Sequence, residues 1–233
     1  MMEETLSSQL GPESTVAEIQ HALAELEDPK ARAVNERHGD DFGVNLGKLR
    51  AIAKALKTNQ DLAQKLWDTK ETPSRLVALL IAKPRSFTLE QLQAWSKEAS
   101  TPKVQAWFLS YIVKKTKLLE ELREELMREN DPVQLAAGWE LTAHQVAKDP
   151  GRLDLPGLLD IIEDQMLDAP DRLQWAMNTT LAQIGIEHAA LRERALAIGE
   201  KLQVLADYPT SPGCTSPFAP IWINEMVKRK AQA

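Results

Sequence analysis

Residues 102–111 read PKVQAWFLSY, and the same register returns as PSRLVALLIA at 73–82, PVQLAAGWEL at 132–141 and PDRLQWAMNT at 170–179. Thr72, Thr101, Asp131 and Ala169 stand immediately before the four prolines. A proline in the first helical turn gives up an N–H that has no intrahelical partner anyway, so each segment reads as a helix start. Second helices are predicted between and after them, over 88–99, 118–130, 155–168 and 189–205, on apolar spacing and on the Thr88/Gln91 capping box. A helix–turn–helix unit cannot bury its own apolar face and must stack on the next one. The expected fold is therefore all-α, a curved α-solenoid of HEAT-like helix–turn–helix repeats, with units somewhat shorter than a standard HEAT repeat.

The chain before the first proline fits the same scheme. Thr15 and Glu18 form a capping box ahead of Val16, Ile19, Leu23 and Leu26. Asp28-Pro29 opens a short helix ending near His38-Gly39, residues 40–44 form a turn, and Asn45 and Asn59 start two more helices. After the repeats, DYPTSPGCTSPFAP at 207–220 carries too many prolines for a helix until Ala219-Pro220 opens a last one. The organisation expected is one domain, with a frayed N-terminus at 1–13, repeats over 14–205, and a C-terminal loop and capping helix over 206–233.

Composition narrows the class. The 233 residues are 43% hydrophobic and 27% charged, with a net charge of −6. This is an ordinary globular balance that argues against indiscriminate nucleic-acid binding. Valine, isoleucine and threonine never alternate over a strand length. The single cysteine, Cys214, excludes an internal disulfide and a cysteine zinc site and suits a reducing cytoplasm. No apolar run approaches a membrane span and no signal peptide is apparent at the start, so the expected location is cytoplasmic with no membrane partner. Nucleotide-loop, zincin and nucleophile-elbow motifs are absent. No metal and no cofactor are expected.

Against that acidic background, residues 101–117 carry Lys103, Lys114, Lys115 and Lys117 and no acid. Turned ~100° per residue, the segment places Lys103, Trp107, Ser110, Lys114 and Lys117 on one stripe and Gln105 within a broad apolar arc. A basic stripe with an aromatic is what a nucleic-acid-facing helix shows. The next stretch, 118–131, is acidic, with Glu124 and Arg128 spaced as an i,i+4 pair on a solvated outer helix.

Three short motifs are similar to those of a known family. Phe42-Gly43-Val44 is followed by Leu49-Arg50. Leu62-Ala63 and Leu66-Trp67 are followed by Arg75 and Ala78, with Pro73 where the family has Glu. Gly213-Cys214-Thr215-Ser216-Pro217 precedes Trp222-Ile223. Together with the repeats, over roughly 29–225, they resemble the bacterial DNA alkylation repair family, the AlkD-like HEAT-like-repeat alkylpurine DNA glycosylases. The resemblance implies DNA held on a concave basic face by aromatics and an Arg. It also implies an aspartate beneath a Trp in a mid-chain helix to stabilise the sugar cation, with no need for a metal or an extruded base. Aligned on that pattern, Gln105 stands at the aspartate, Thr101 at the Trp, Leu135 at the Arg and Thr179 at the second Trp. A neutral amide cannot give a developing cation the Coulombic support of a carboxylate.

The function expected is therefore DNA binding, with damaged DNA as its narrower form, through Lys103, Trp107, Lys114 and Lys117 together with Lys83 and Arg85. The alternatives are an alkylpurine glycosylase with a differently placed carboxylate, and a scaffold for a protein partner that does not bind DNA. Glu140 and His144 share a helix face without a third ligand. Asp160, Glu163 and Asp164 read as surface acids within reach of Arg152 or Arg172. Trp139 and Trp175 read as core, and Cys214 as a buried structural thiol.

Overall fold

The computed structural model describes residues 10–232, and among them every regular element is a helix, with one isolated β-bridge between Glu27 and Val44. Of the N-terminal stretch expected to fray, residues 1–9 lie outside the described residues. Gly11 and Ser14 close a turn, each backbone N–H finding a partner on the other residue. The chain divides into two compact units, residues 1–119 and 120–233.

The first unit holds α1 (Val16–Glu25), α2 (Pro29–Glu36), α3 (Leu46–Leu56), α4 (Gln60–Asp68), α5 (Thr72–Ile81), α6 (Leu89–Glu98) and α7 (Pro102–Trp107). Local chemistry sets most of their starts. The capping boxes at Thr15/Glu18 and Thr88/Gln91 both form, and Asp28, Asn45 and Asn59 each accept from a first-turn N–H. α5 is the hub: it packs against α1, α3, α4 and α7, and eight of its ten residues are buried. Covering it, Trp67 stacks on Trp95 with centroids 4.0 Å apart, and Phe87 meets Trp95 edge-on at 4.8 Å. Arg75 lies under this stack with its guanidinium carbon 4.6 Å from the Trp67 centroid. It donates to the Trp67 carbonyl and to both the carbonyl and the carboxylate of Glu98. Burial pulls its pKa down from the usual arginine value while Glu98 and Asp68 oppose the shift.

The segment that reads as one helix over 101–117 has three geometries. α7 gives way to a π-turn at Phe108–Ile112 and then a 3-10 turn at Val113–Lys115. The wider π-turn rotates residues 113–117 relative to an unbroken α-helix. The start of the segment also departs from expectation. Thr101 is the N-cap by backbone, but its side chain makes no cap. The Lys103 N–H donates instead to Asp40 Oδ1, 2.8 Å away and 63 residues earlier.

The second unit holds α8 (Leu119–Leu126, whose first residue belongs to the first unit), α9 (Pro132–Lys148), α10 (Leu155–Gln165), α11 (Asp171–Glu187), α12 (Arg192–Leu202) and α13 (Ala219–Ala231). Each proline-led helix is followed by its shorter partner, as the repeat pattern requires. α9 and α11 are packed side by side. Thr180 Oγ1 donates to the Trp139 carbonyl, and His188 Nε2 sits 3.2 Å from the Val146 carbonyl. Pairs at almost the same sequence offset, one mid-helix and one near the C-terminal ends, mean that these helices run parallel and in register, as equivalent helices of successive repeats do. α13 closes on α11 and α12. A Cβ on Gly199 would stand 2.7 Å from the Pro220 ring, so glycine permits that approach.

Trp139 is core, 2% exposed. The surface acids find other partners than those expected: Arg194 pairs with Asp160 and Lys201 with Glu163, both basic groups coming from α12. Cys214 is exposed, not buried. Its N–H closes a tight turn onto the Ser211 carbonyl, with Gly213 at φ +84°, and the turn leaves the thiol facing solvent.

Candidate nucleic-acid interface

α3 carries Arg50 and Lys54 one turn apart, with Lys57 just past its end, all exposed, because Leu49, Ile52, Ala53 and Leu56 face the core. α5 packs against both α3 and α7. Across that junction the Arg50 guanidinium reaches the Trp107 ring, 5.0 Å from its centroid. Trp107 meets Tyr111 edge-on at 5.2 Å, and Lys115 Nζ lies 5.1 Å from the Tyr111 centroid. The four side chains form a continuous ladder, cation–ring–ring–cation, with an exposed charge at each end.

Two cavities lie along it. One, of about 310 Å³, is lined by Arg50, Ala53, Lys54, Lys57, Thr58 and Leu80. The other, of about 570 Å³, is lined by Thr58, Ala82, Lys83, Pro84, Arg85 and Lys115. They share Thr58, and no acid lines either. The 3-10 turn Pro84–Ser86 packs on the turn Val113–Lys115, which brings Lys83 and Arg85 to Lys115. Lys57 enters the cavity wall at a cost, its backbone held at φ +59°, ψ −174° just past the end of α3. Only glycine adopts that region without strain.

The sequence-predicted residues divide accordingly. Lys83 and Arg85 line the larger cavity, and Lys117 is exposed two residues beyond Lys115. Lys103 and Lys114 are half-buried, and the backbone N–H of Lys103 is taken by Asp40. Trp107 is not on an open stripe: it is 7% exposed and acts as the surface on which Arg50 lies. Gln105 is fully buried in the apolar arc, as its helical position requires. Arg50, Lys54, Lys57 and Lys115 are additions. The i, i+4, i+7 spacing of the first three was the available signal, although Lys57 falls just past the end of α3.

Asp40, 5% exposed, is the one buried acid among the described residues. Its carboxylate caps α7, the helix that holds Gln105. The loop presenting it is stitched down by Asn35 to the Phe42 carbonyl and by Arg32 to the Asp41 carbonyl. A Cβ on Gly43 would collide with the Asp28 carbonyl, so this turn requires glycine. Glu140 and His144 are half-buried on α9. Among the described residues no cluster of three or more His, Cys, Asp or Glu is arranged to hold a metal, and no helix is long and apolar enough to cross a membrane.

A stack of helix–turn–helix repeats, each burying its apolar face against the next, defines a class, the HEAT-like helical proteins. Residues 19–222 match the DNA alkylation repair enzyme family, and the chain belongs to it. Among its relatives are the uncharacterised proteins Lmo0209 of Listeria monocytogenes and Lin0241 of Listeria innocua. Each is 22% identical over 92% of this chain and 98% of its own length. The fold also matches a solved structure at a TM-score of 0.75 and 20% identity, covering 93% of this chain and 95% of that one. That protein comes from a family related to the HEAT-like repeat DNA glycosylases with affinity for branched DNA structures.

Proposed function

We propose that the protein binds DNA through the basic face of its first unit, with Arg50, Lys54, Lys57, Lys83, Arg85 and Lys115 contacting phosphates. The observation that carries this reading is the Arg50–Trp107–Tyr111–Lys115 ladder, which fixes two cations at the mouths of adjoining cavities lined without an acid. In a chain of net charge −6, such a face concentrates positive potential where the rest of the surface repels DNA, which favours a local and oriented mode of binding. The solved relative's affinity for branched DNA structures makes four-way junctions and flaps the first substrates to compare with plain duplex.

Base excision through position 105 does not belong to this function. Gln105 is a neutral amide with no exposed surface, and Asp40 is 5% exposed with Oδ1 accepting from the start of α7. Neither can face a sugar cation as it forms. Titration of labelled junction and duplex DNA across a salt series tests the binding. The expected result is a steep loss of affinity with salt, reduced in slope by about one for each phosphate contact removed. Salt-independent binding, or none at low ionic strength, would reject the reading. Incubation with methylated DNA should release no free base.

A further inference from the structure

The second unit contains a cavity of different character, about 420 Å³, between α11 and the proline-rich loop that leads to α13. Its walls are Trp175, Tyr208, Pro209, Thr210, Ser211, Cys214, Thr215, Ser216, Pro217 and Trp222. Three aromatic residues and two prolines meet four Ser and Thr hydroxyls and a thiol, and no charged side chain lines it. Trp175 and Tyr208 stand perpendicular with centroids 5.1 Å apart, so they form a corner, one ring offering a face and the other an edge. Tyr208 is 46% exposed, a large aromatic left open at the mouth.

The loop is held in shape, not merely draped. Asn178 of α11, 1% exposed, donates to the Pro217 carbonyl at 2.9 Å. Arg229 of α13 donates to Thr215 Oγ1, and Ser216 Oγ accepts the Phe218 N–H. Pro209, Pro212 and Pro217 restrict the same stretch further. A cavity kept open by such restraints loses little entropy on binding, and its volume lies in the small-ligand range of ~300–1,000 Å³.

We infer that this cavity is a binding site for a single unstacked nucleobase. The ligand that suits it is flat, aromatic and uncharged, with hydrogen-bonding edges. No charged side chain lines the cavity to favour a phosphate, whereas a base can stack on Trp175 or Trp222 and meet the Ser and Thr hydroxyls. The inference extends the reading of the protein as a DNA binder: the basic face of the first unit would take backbone, and this site a base. It requires only a nucleobase, so the two can fail separately.

The experiment uses the full chain and three probes: free deoxyadenosine, a short single-stranded oligonucleotide, and an abasic oligonucleotide of the same length. Because Cys214 lines the cavity and is the only cysteine, its rate of alkylation reports occupancy at this site alone. Deoxyadenosine and the base-bearing strand should each slow alkylation saturably, while the abasic strand does not. Protection by deoxyadenosine without protection by the strand assigns the site to free nucleosides and leaves base recognition standing. The exposed Tyr208→Ala variant, folded by its circular dichroism melt, should weaken deoxyadenosine binding about tenfold and leave duplex binding at the first unit unchanged. Failure of deoxyadenosine to protect Cys214, or equal protection by the abasic strand, overturns the inference.

Discussion

The guanidinium of Arg50 lies 5.0 Å from the centroid of Trp107, although 57 residues separate them in the chain. An arginine held over a ring, with Nη1 also donating to the Leu46 carbonyl, is oriented before any ligand arrives, and its remaining N–H groups can meet a phosphate. Lysine at this position would keep the charge and lose the guanidinium contact with the ring. Arg50→Lys is therefore expected to weaken DNA binding about fivefold, with little change in its salt slope, since the count of cations is unchanged. Arg50→Ala should lower both affinity and slope. Equal affinity of Arg50→Lys and the parent in the same titration would dismiss the stacking argument.

Lys57 offers a separate test, because strain and charge pull in opposite directions there. Its backbone at φ +59°, ψ −174° suits glycine. Lys57→Gly should raise unfolding free energy by about 1 kcal/mol while reducing DNA affinity several-fold. Denaturant melts and binding titrations on one preparation read both. A variant that gains stability without losing affinity would remove Lys57 from the interface.

Asp40 separates capping from catalysis. The Asp40–Lys103 hydrogen bond ties the loop before α3 to the start of α7, so Asp40→Ala should cost about 2 kcal/mol of stability, with a helix cap and a buried charged acceptor both lost. Asp40→Asn retains an acceptor oxygen and should recover most of it. If the parent released methylated bases and the folded Asn variant did not, the carboxylate would be catalytic and the capping account insufficient.

The two family-like motifs of the first unit are readable because they encode packing. Phe42 and Val44 are each 1% exposed, and Leu66, Trp67 and Ala78 are buried with Arg75 threaded beneath the tryptophans. Such residues are fixed by the fold, whatever the surface does. The prolines and caps likewise fix where helices begin. The interface is less legible for a specific reason. A helical wheel assumes one geometry over 101–117, and the π-turn at Phe108–Ile112 breaks it, turning Lys115 to the cavity, while Trp107, which precedes the turn, is covered by Arg50 from α3. No local pattern announces that turn. The partnership of α3 with α7 depends on how both pack on α5, which composition cannot convey. Cys214 departs from expectation because a lone cysteine is usually buried, whereas the turn at Gly213 carries it outward.

Glu120 supplies a pH test within the second unit. Its carboxylate receives two hydrogen bonds from Arg123, at 2.9 and 2.7 Å, and one from Gln145. Those from Arg123 are the chief reason its pKa lies below the usual glutamate value, against an opposing effect of burial. Arg123 is itself 8% exposed and also reaches Thr142, so an uncompensated guanidinium would be left behind if the acid were lost. A carboxyl group with a depressed folded pKa contributes stability that is complete above its unfolded value, about 4.3, and fades as pH falls through the folded one. Glu120→Gln should therefore melt lower than the parent at pH 7, by about 1–2 kcal/mol of unfolding free energy. The gap should stay constant down to about pH 5 and close progressively below the unfolded value near 4.3. Thermal or urea unfolding of both proteins from pH 7 to pH 3 measures it. A gap that persists unchanged to pH 3 would assign the loss to packing, not to the charged pair.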